Sequence, residues 1–326
     1  MKKLNQAHLA RLFLLLATGM WGMSFPIVKA IRGQFYCGLG ATELELSSSF
    51  VFLRFTIASS LFGLFFYFFS KDKKTTSPKS FREIYLGLLL GITGGFGILL
   101  QTDGLAYTDP GTSAFLTQLT CVLVPLVAIF QKKKKLTFLF FIALLLGVGG
   151  VYLLSGFDLF QMKMGRGEAE TLLAALLFTL QILLLESQRF QKHTTLRSTW
   201  TMFIVFALIN VPFFNISNLC INPLAQQSPF LPLSLLIVVV LFCSLLTFGL
   251  MNLWQSKISA TEATFIYSLE AVFALCFNFL WIPLLVFWGY SMSFDKPGLS
   301  FSLGAFMLIA ANFFLFYEAL RKPLQN

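Results

Sequence analysis

Apolar runs of about twenty residues, parted by short polar or charged segments, recur along the whole chain. A helix needs about 20 mostly apolar residues to cross a bilayer. Runs of that kind fall at roughly 8–28, 50–69, 83–103, 110–130, 136–154, 170–189, 197–214, 231–256, 261–285 and 299–319. The pattern predicts an all-α polytopic membrane protein with ten transmembrane helices. The stretch Ile258–Leu285 stands apart because it carries Glu262 and Glu270. If the span begins near Thr261, Glu270 lies about 14 Å along it, close to the bilayer middle. An ionisable group at that depth costs about 2.5–3.5 kcal/mol on insertion scales. It must face protein or a watery cavity. Tyr267, Ala274 and Asn278 share its side of the helix.

Polar residues elsewhere in the runs are few. Arg54 sits about one turn into the second run, near enough to an interface to snorkel or to meet an anionic substrate group. The third run carries Gly87, Gly91, Gly94 and Gly95, spaced for close helix packing. It also carries Gln101, whose amide needs partners when buried. Ser113, Thr117 and Thr120 make a hydroxyl stripe on the fourth, beside Gln118, and such hydroxyls either bond their own helix or line a cavity. Pro26 and Gly22 weaken the first run beside Trp21, which fits a kink or an interrupted helix at a cavity. The fifth run, with Gly147, Gly149 and Gly150, reads as packing or dimer surface, so a homodimer is open. The sixth and eighth runs add Gln181 and Asn252, and Glu186 near the inner end of the sixth is placed to pair with Arg189 or solvent.

Charge sets the orientation. Of the 24 basic residues, 18 fall in alternate segments beginning with the N-terminus and 5 in the others, with Arg54 inside a span. The positive-inside rule then puts both termini in the cytoplasm. The net charge of +10, which in a soluble chain would suggest nucleic acid, is here topogenic. Composition agrees with the membrane class: 57% of the 326 residues are hydrophobic, 40 are Phe, and 12% are charged against about 25% in soluble domains. The first run is read as an uncleaved anchor. The five cysteines show no metal spacing. Cys37 and Cys220 both fall outside, where a disulfide is open to them.

The chain also resembles itself. Set above Ala260–Leu275 at an offset of 150, Pro110–Pro125 aligns Phe115 with Phe265, Leu116 with Ile266, Leu119 with Leu269, Val122 with Val272, and Thr120 with Glu270. The offset pairs the fourth span with the ninth, five spans on. A unit of five spans copied in tandem enters the membrane from opposite sides, giving an inverted repeat, the architecture of many secondary transporters. The repeats run over residues 8–155 and 170–319. Two histidines, His8 and His193, and the lack of HExxH, Gly-x-Ser-x-Gly or GxxxxGK[ST] argue against an enzyme or an ATP-driven pump. No cofactor or metal is implied.

Residues 18–30 (TGMWGMSFPIVKA), 52–60 (FLRFTIASS), 104–128 (GLAYTDPGTSAFLTQLTCVLVPLVA) and 259–275 (SATEATFIYSLEAVFAL) resemble the EamA-type family of the drug/metabolite transporter superfamily. The marks are Trp21-Gly22, Arg54-Phe55 and Ser268–Ala274, and the likeness runs over about residues 10–319. Where the family usually has proline after the glutamate, this chain has Ala271, which removes an expected kink. The resemblance implies ten helices in two inverted EamA-like five-helix repeats, a central cavity, and transport of small organic metabolites or drug-like solutes, often as export.

Together these readings predict a permease of the plasma (bacterial inner) membrane working by alternating access. Its candidate substrate-binding residues are Glu270, Tyr267, Trp21, Gln101, Thr117, Gln118, Gln181, Asn252 and Arg54, and Glu270 is also a candidate for proton coupling. A nucleotide-sugar or nucleoside-type carrier of the same superfamily is the alternative. It needs cations for phosphate, and Lys29 and Arg54 are the candidates. A non-transporting membrane interaction protein ranks below both, because the loops are short and the tails bare.

Overall fold

The structure is a computed structural model. It describes residues 2–69, 78–108, 113, 116–131, 137–155, 165–187, 196–221, 230–290 and 298–321. The basic segments 71–74 and 132–135, Lys163, Arg189, Lys192, His193, Lys296 and Phe115 lie outside the described residues.

Every regular element among them is helical, as expected where lipid leaves the backbone no partner but itself. The helices are α1 (Lys2–Ile31), α2 (Glu43–Phe69), α3 (Pro78–Tyr107), α4 (Thr120–Phe130), α5 (Phe138–Ser155), α6 (Arg166–Glu186) and α7 (Leu196–Asn210). Then follow α8 (Phe230–Val240), a π-helical stretch (Leu241–Leu246), α9 (Thr247–Trp254), α10 (Ala260–Ser268), α11 (Glu270–Phe287) and α12 (Leu299–Arg321). Seven segments are long and apolar enough to cross a membrane: Gln6–Phe35, Glu43–Phe65, Phe81–Tyr107, Arg166–Glu186, Leu196–Phe213, Phe230–Lys257 and Ala260–Phe287. Three shorter apolar helices, Leu116–Phe130, Phe138–Gly150 and Ser302–Leu315, fall on the fourth, fifth and tenth predicted runs. By length and composition, then, the described residues supply seven spans where ten runs were expected.

Three local features position the site. α1 runs unbroken through Gly22 and Pro26, so the proline sits inside a continuous helix. The chain Ala260–Phe287, in contrast, is interrupted at Leu269 (φ −68°, ψ −10°), although Ala271 replaces the expected proline. The amide of Leu269 donates to Ile266 O at 3.1 Å, a tighter turn than the α-helix makes. The same turn stands at Leu119 (φ −58°, ψ −13°), whose amide donates to Leu116 O at 3.2 Å before α4 begins at Thr120. Gly22 meets the second break directly. A Cβ there would lie 2.7 Å from both the Ala274 nitrogen and the Phe273 Cβ, and 3.0 Å from Glu270 O.

Helix packing uses the small residues the sequence offered. α3 lies against α7, where a Cβ on Gly91 would come within 2.5 Å of Val205. The α5 glycine run is consumed inside the molecule: a Cβ on Gly150 would meet Gly304 O at 2.8 Å. That glycine face therefore packs on α12 and is not a free dimer surface. Between α2, α7 and α9 lies an aromatic core in which Phe55, Phe203, Phe206 and Phe248 pack mostly edge to face, centroids 4.7–6.4 Å apart. At one end of the bundle Cys37 and Cys220 form a disulfide, with Cα atoms 5.9 Å apart. A backbone bridge between Tyr36 and Leu219 sits beside it.

Candidate functional site

A cavity of about 130 Å³ with a mixed polar and apolar wall opens among α1, α2, α3, α4, α6, α9 and the break between α10 and α11. That volume holds on the order of ten waters. Glu270 stands ten residues into the Ala260–Phe287 run, about 15 Å along it and near mid-bilayer depth. Eight of the nine predicted residues line the cavity: Trp21, Arg54, Gln101, Thr117, Gln118, Gln181, Tyr267 and Glu270.

Asn252 is the exception. It is buried, and its amide donates to Thr199 Oγ1 at 3.0 Å, away from the cavity. Its helix face points α9 at α7, while Met251 and Phe248 take the cavity side. Ala274 and Asn278 do not reach the cavity either. Ala274 is spent on the contact with Gly22.

Most wall groups are held by specific neighbours. Gln118 Nε2 donates to Glu270 Oε2 at 3.1 Å, joining α4's approach to α11's first residue. Gln101 Nε2 donates to Thr117 Oγ1 at 3.2 Å, and that hydroxyl donates to Ser113 O at 2.9 Å. The stripe thus both bonds its own helix and faces the cavity. Tyr267 donates its hydroxyl to Gln255 Oε1 at 2.8 Å, and Gln255 Nε2 donates to Ile182 O at 2.9 Å. Trp21 packs edge-on to Tyr267 (5.5 Å) and to Phe248 (5.4 Å).

Arg54 departs from its predicted setting. α2 begins at Glu43 and not near residue 50, so Arg54 lies about 16 Å into the helix, beyond snorkelling reach of that end. It is 7% exposed and docks on the π-helical stretch. Its Nε donates to Ser244 Oγ at 2.6 Å and its Nη2 to Cys243 O at 2.9 Å. π turns occur as local bulges, often at functional sites, and here the bulge presents a carbonyl and a hydroxyl to the guanidinium. Lys29 is exposed and does not line the cavity. A phosphate reading thereby loses one of its two candidate cations.

Sequence reasoning missed Gln255, Ser244, Phe178, Phe248 and Thr102. Gln255 and Ser244 act across helices, and nothing in helical spacing marks which buried amide or hydroxyl meets a residue from another helix.

The two ends of the bundle differ. The cavity extends along α1 from Trp21 to Val28 and along α3 from Ile98 to Leu105, toward the disulfide end. At the other end Arg11 and Glu262 form an ion pair, and Glu186 Oε1 accepts from the Ala260 amide at 3.1 Å. Glu186 thus caps α10, while Arg189, its expected partner, lies outside the described residues.

These features define a multi-pass helical membrane protein with a cavity among its helices. Residues 8–156 match the EamA-like transporter family, and the chain carries an EamA domain over that range. It is similar to an uncharacterized transporter of Archaeoglobus fulgidus, at 29% identity over 273 residues, covering 82% of this chain and 77% of the relative. A solved crystal structure superposes with a TM-score of 0.66 at 14% identity, covering 97% of this chain and all of that one. At that identity the superposition speaks to the fold alone.

Proposed function

We propose that the protein is a secondary carrier that moves a small organic metabolite or drug-like solute by alternating access around this cavity. The observation that carries the reading is the origin of the wall. Thr117 and Tyr267, and Thr120 and Glu270, are two pairs of cavity residues each separated by the 150-residue offset of the sequence repeat. Thr117 and Thr120 flank the helix break at Leu119, and Tyr267 and Glu270 flank the one at Leu269. That supports ten spans in two inverted five-span repeats, 8–155 and 170–319, meeting at the cavity. The basic residues favour cytoplasmic termini. The disulfide agrees, because disulfides persist on the oxidising side of a membrane. A plasma membrane address and export are the readings the family resemblance favours. In this conformation the cavity extends toward the disulfide end.

Glu270 is the coupling candidate. Its hydrogen-bond partner Gln118 is neutral, so a proton can come and go without breaking an ion pair. The first test is counterflow in proteoliposomes against amino acids, nucleosides, adenosyl compounds and cationic drugs. Exchange of any of them establishes a carrier. Glu270→Gln should keep counterflow and lose uptake driven by a pH gradient. If gradient-driven uptake survives the substitution, proton coupling is not carried by Glu270.

A further inference from the structure

Among the described residues Arg54 has no counter-ion. It is 7% exposed, about 16 Å into α2, and its hydrogen-bond partners are the Ser244 hydroxyl and the Cys243 carbonyl, both neutral. Among the described residues no carboxylate stands within ion-pairing distance of it: the acids that pair are Glu262, Glu43, Asp103, Glu170 and Glu83, each with another arginine. A buried charge left unpaired is expensive, far more so than one satisfied by an anion. The chain has nevertheless bent a helix to hold it. The π-helical stretch Leu241–Leu246 shifts Ser244 so that its hydroxyl donates to Val239 O, five residues back, at 3.1 Å while accepting from Arg54.

The anchoring uses one edge of the guanidinium. Of its five N–H donors, one on Nε and one on Nη2 are occupied, and Nη1 makes no hydrogen bond among the described residues. Arg54 is also a wall residue of the cavity and the only basic one among the lining residues. We propose that Arg54, set by the Leu241–Leu246 bulge, is an anion subsite whose missing counter-ion is the carboxylate of the transported solute. The inference rests on the carrier reading and narrows its substrate to small organic carboxylates.

A carboxylate fits this site better than a phosphate. Phosphate sites gather several cations or backbone amides, whereas a single guanidinium with part of its fork free matches one monoanionic group. Beside it, one helical turn beyond Ser244, Phe248 lines the cavity and packs on Trp21 at 5.4 Å, a surface for the solute's apolar body.

The test measures binding before transport. The purified full-length protein in nanodiscs is heated with sodium acetate, benzoate or 3-phenylpropionate. Controls are sodium chloride at equal ionic strength and neutral 3-phenylpropionamide. Ligands that bind only the folded state raise its melting temperature. The carboxylates should raise it by several degrees over both controls, with benzoate and 3-phenylpropionate above acetate. Arg54→Gln should abolish that rise. If Arg54→Gln does not fold, Arg54→Lys provides the second arm: it keeps charge but loses the planar fork, so half-saturation should shift by about tenfold or more, near 1.4 kcal/mol. A carboxylate response no larger than that to chloride, or one unchanged in the Arg54 variant, overturns the proposal. Counterflow with the best-binding carboxylate then separates the two readings. Binding with exchange supports both, and Arg54-dependent binding without exchange keeps the anion subsite while removing the carrier.

Discussion

Thr120 and Glu270 each occupy the first position of a helix that resumes after a one-residue turn, and both face the same cavity. They differ in what they can do there. Glu270 brings an ionisable carboxyl to the cavity, hydrogen-bonded to the Gln118 amide. Thr120 can only hydrogen-bond. The two positions are therefore geometrically alike and chemically unlike.

This asymmetry gives the first prediction. Thr120→Val should weaken substrate half-saturation by about threefold to tenfold, the loss of one hydrogen bond of about 0.5–1.5 kcal/mol, while pH-gradient drive persists. Glu270→Gln should show the opposite split. Uptake measured with and without a proton gradient across a substrate series reads both. Equal behaviour of the two variants would remove the distinction.

Gly22 supplies the second. A Cβ at this position would press within 2.7 Å of the Ala274 nitrogen and the Phe273 Cβ, at the turn that presents Glu270. Backbone cannot step aside as a flexible side chain can, so Gly22→Ala should cost about 1–3 kcal/mol, the usual range for overpacking. Gly19→Ala, one turn earlier, would bring its Cβ only to 3.8 Å from the Phe273 ring and should be nearly neutral. Melting temperatures of the two variants in the same detergent check the contrast.

How much of this was legible in the sequence depends on the range of the interaction. Depth was legible: an apolar run fixes where Glu270 and Tyr267 lie along a span, and periodicity puts them on one side of a helix. The break at Leu269 was not, because proline, the usual local signal, is missing there. Arg54 was placed one turn into its helix since counting began at the apolar residues. The helix in fact begins earlier, where Ser48 and Ser49 donate to backbone carbonyls within it. Asn252 was polar, buried and in a span, which is as much as sequence can say, and only the packing of α9 against α7 shows that its amide serves Thr199.

Tyr267 gives a third prediction. Its hydroxyl donates to the buried Gln255, 1% exposed, which in turn holds Ile182 O. Tyr267→Phe would leave Gln255 Oε1 buried without that donor, at about 1–3 kcal/mol. Trp21, packed edge-on to the ring, would keep its contact. The expected result is a destabilised protein with little change in Trp21 emission. A shifted emission maximum with unchanged stability would mean that Tyr267 orients Trp21 and does not brace Gln255.

The disulfide gives the last prediction. Cys37 and Cys220 are 183 residues apart and tie the segment after α1 to the segment after α7. The Cys37 amide donates to Asn218 O at 2.9 Å beside the bond, so the two segments are paired by backbone as well. In chain-entropy terms a cross-link closing so long a loop stabilises by about 5 kcal/mol. Reduction, or the Cys37→Ser/Cys220→Ser pair, should lower the melting temperature by several degrees, and the backbone pairing should leave the fold in place. The same bond reports topology. In sealed right-side-out vesicles a membrane-impermeant reductant should open it, whereas a lysine reagent of the same kind should spare the basic segments near the termini. If the disulfide resists the reductant until the membrane is breached, the termini and the cystine do not lie on opposite sides as proposed, and the cavity leans toward the cytoplasm.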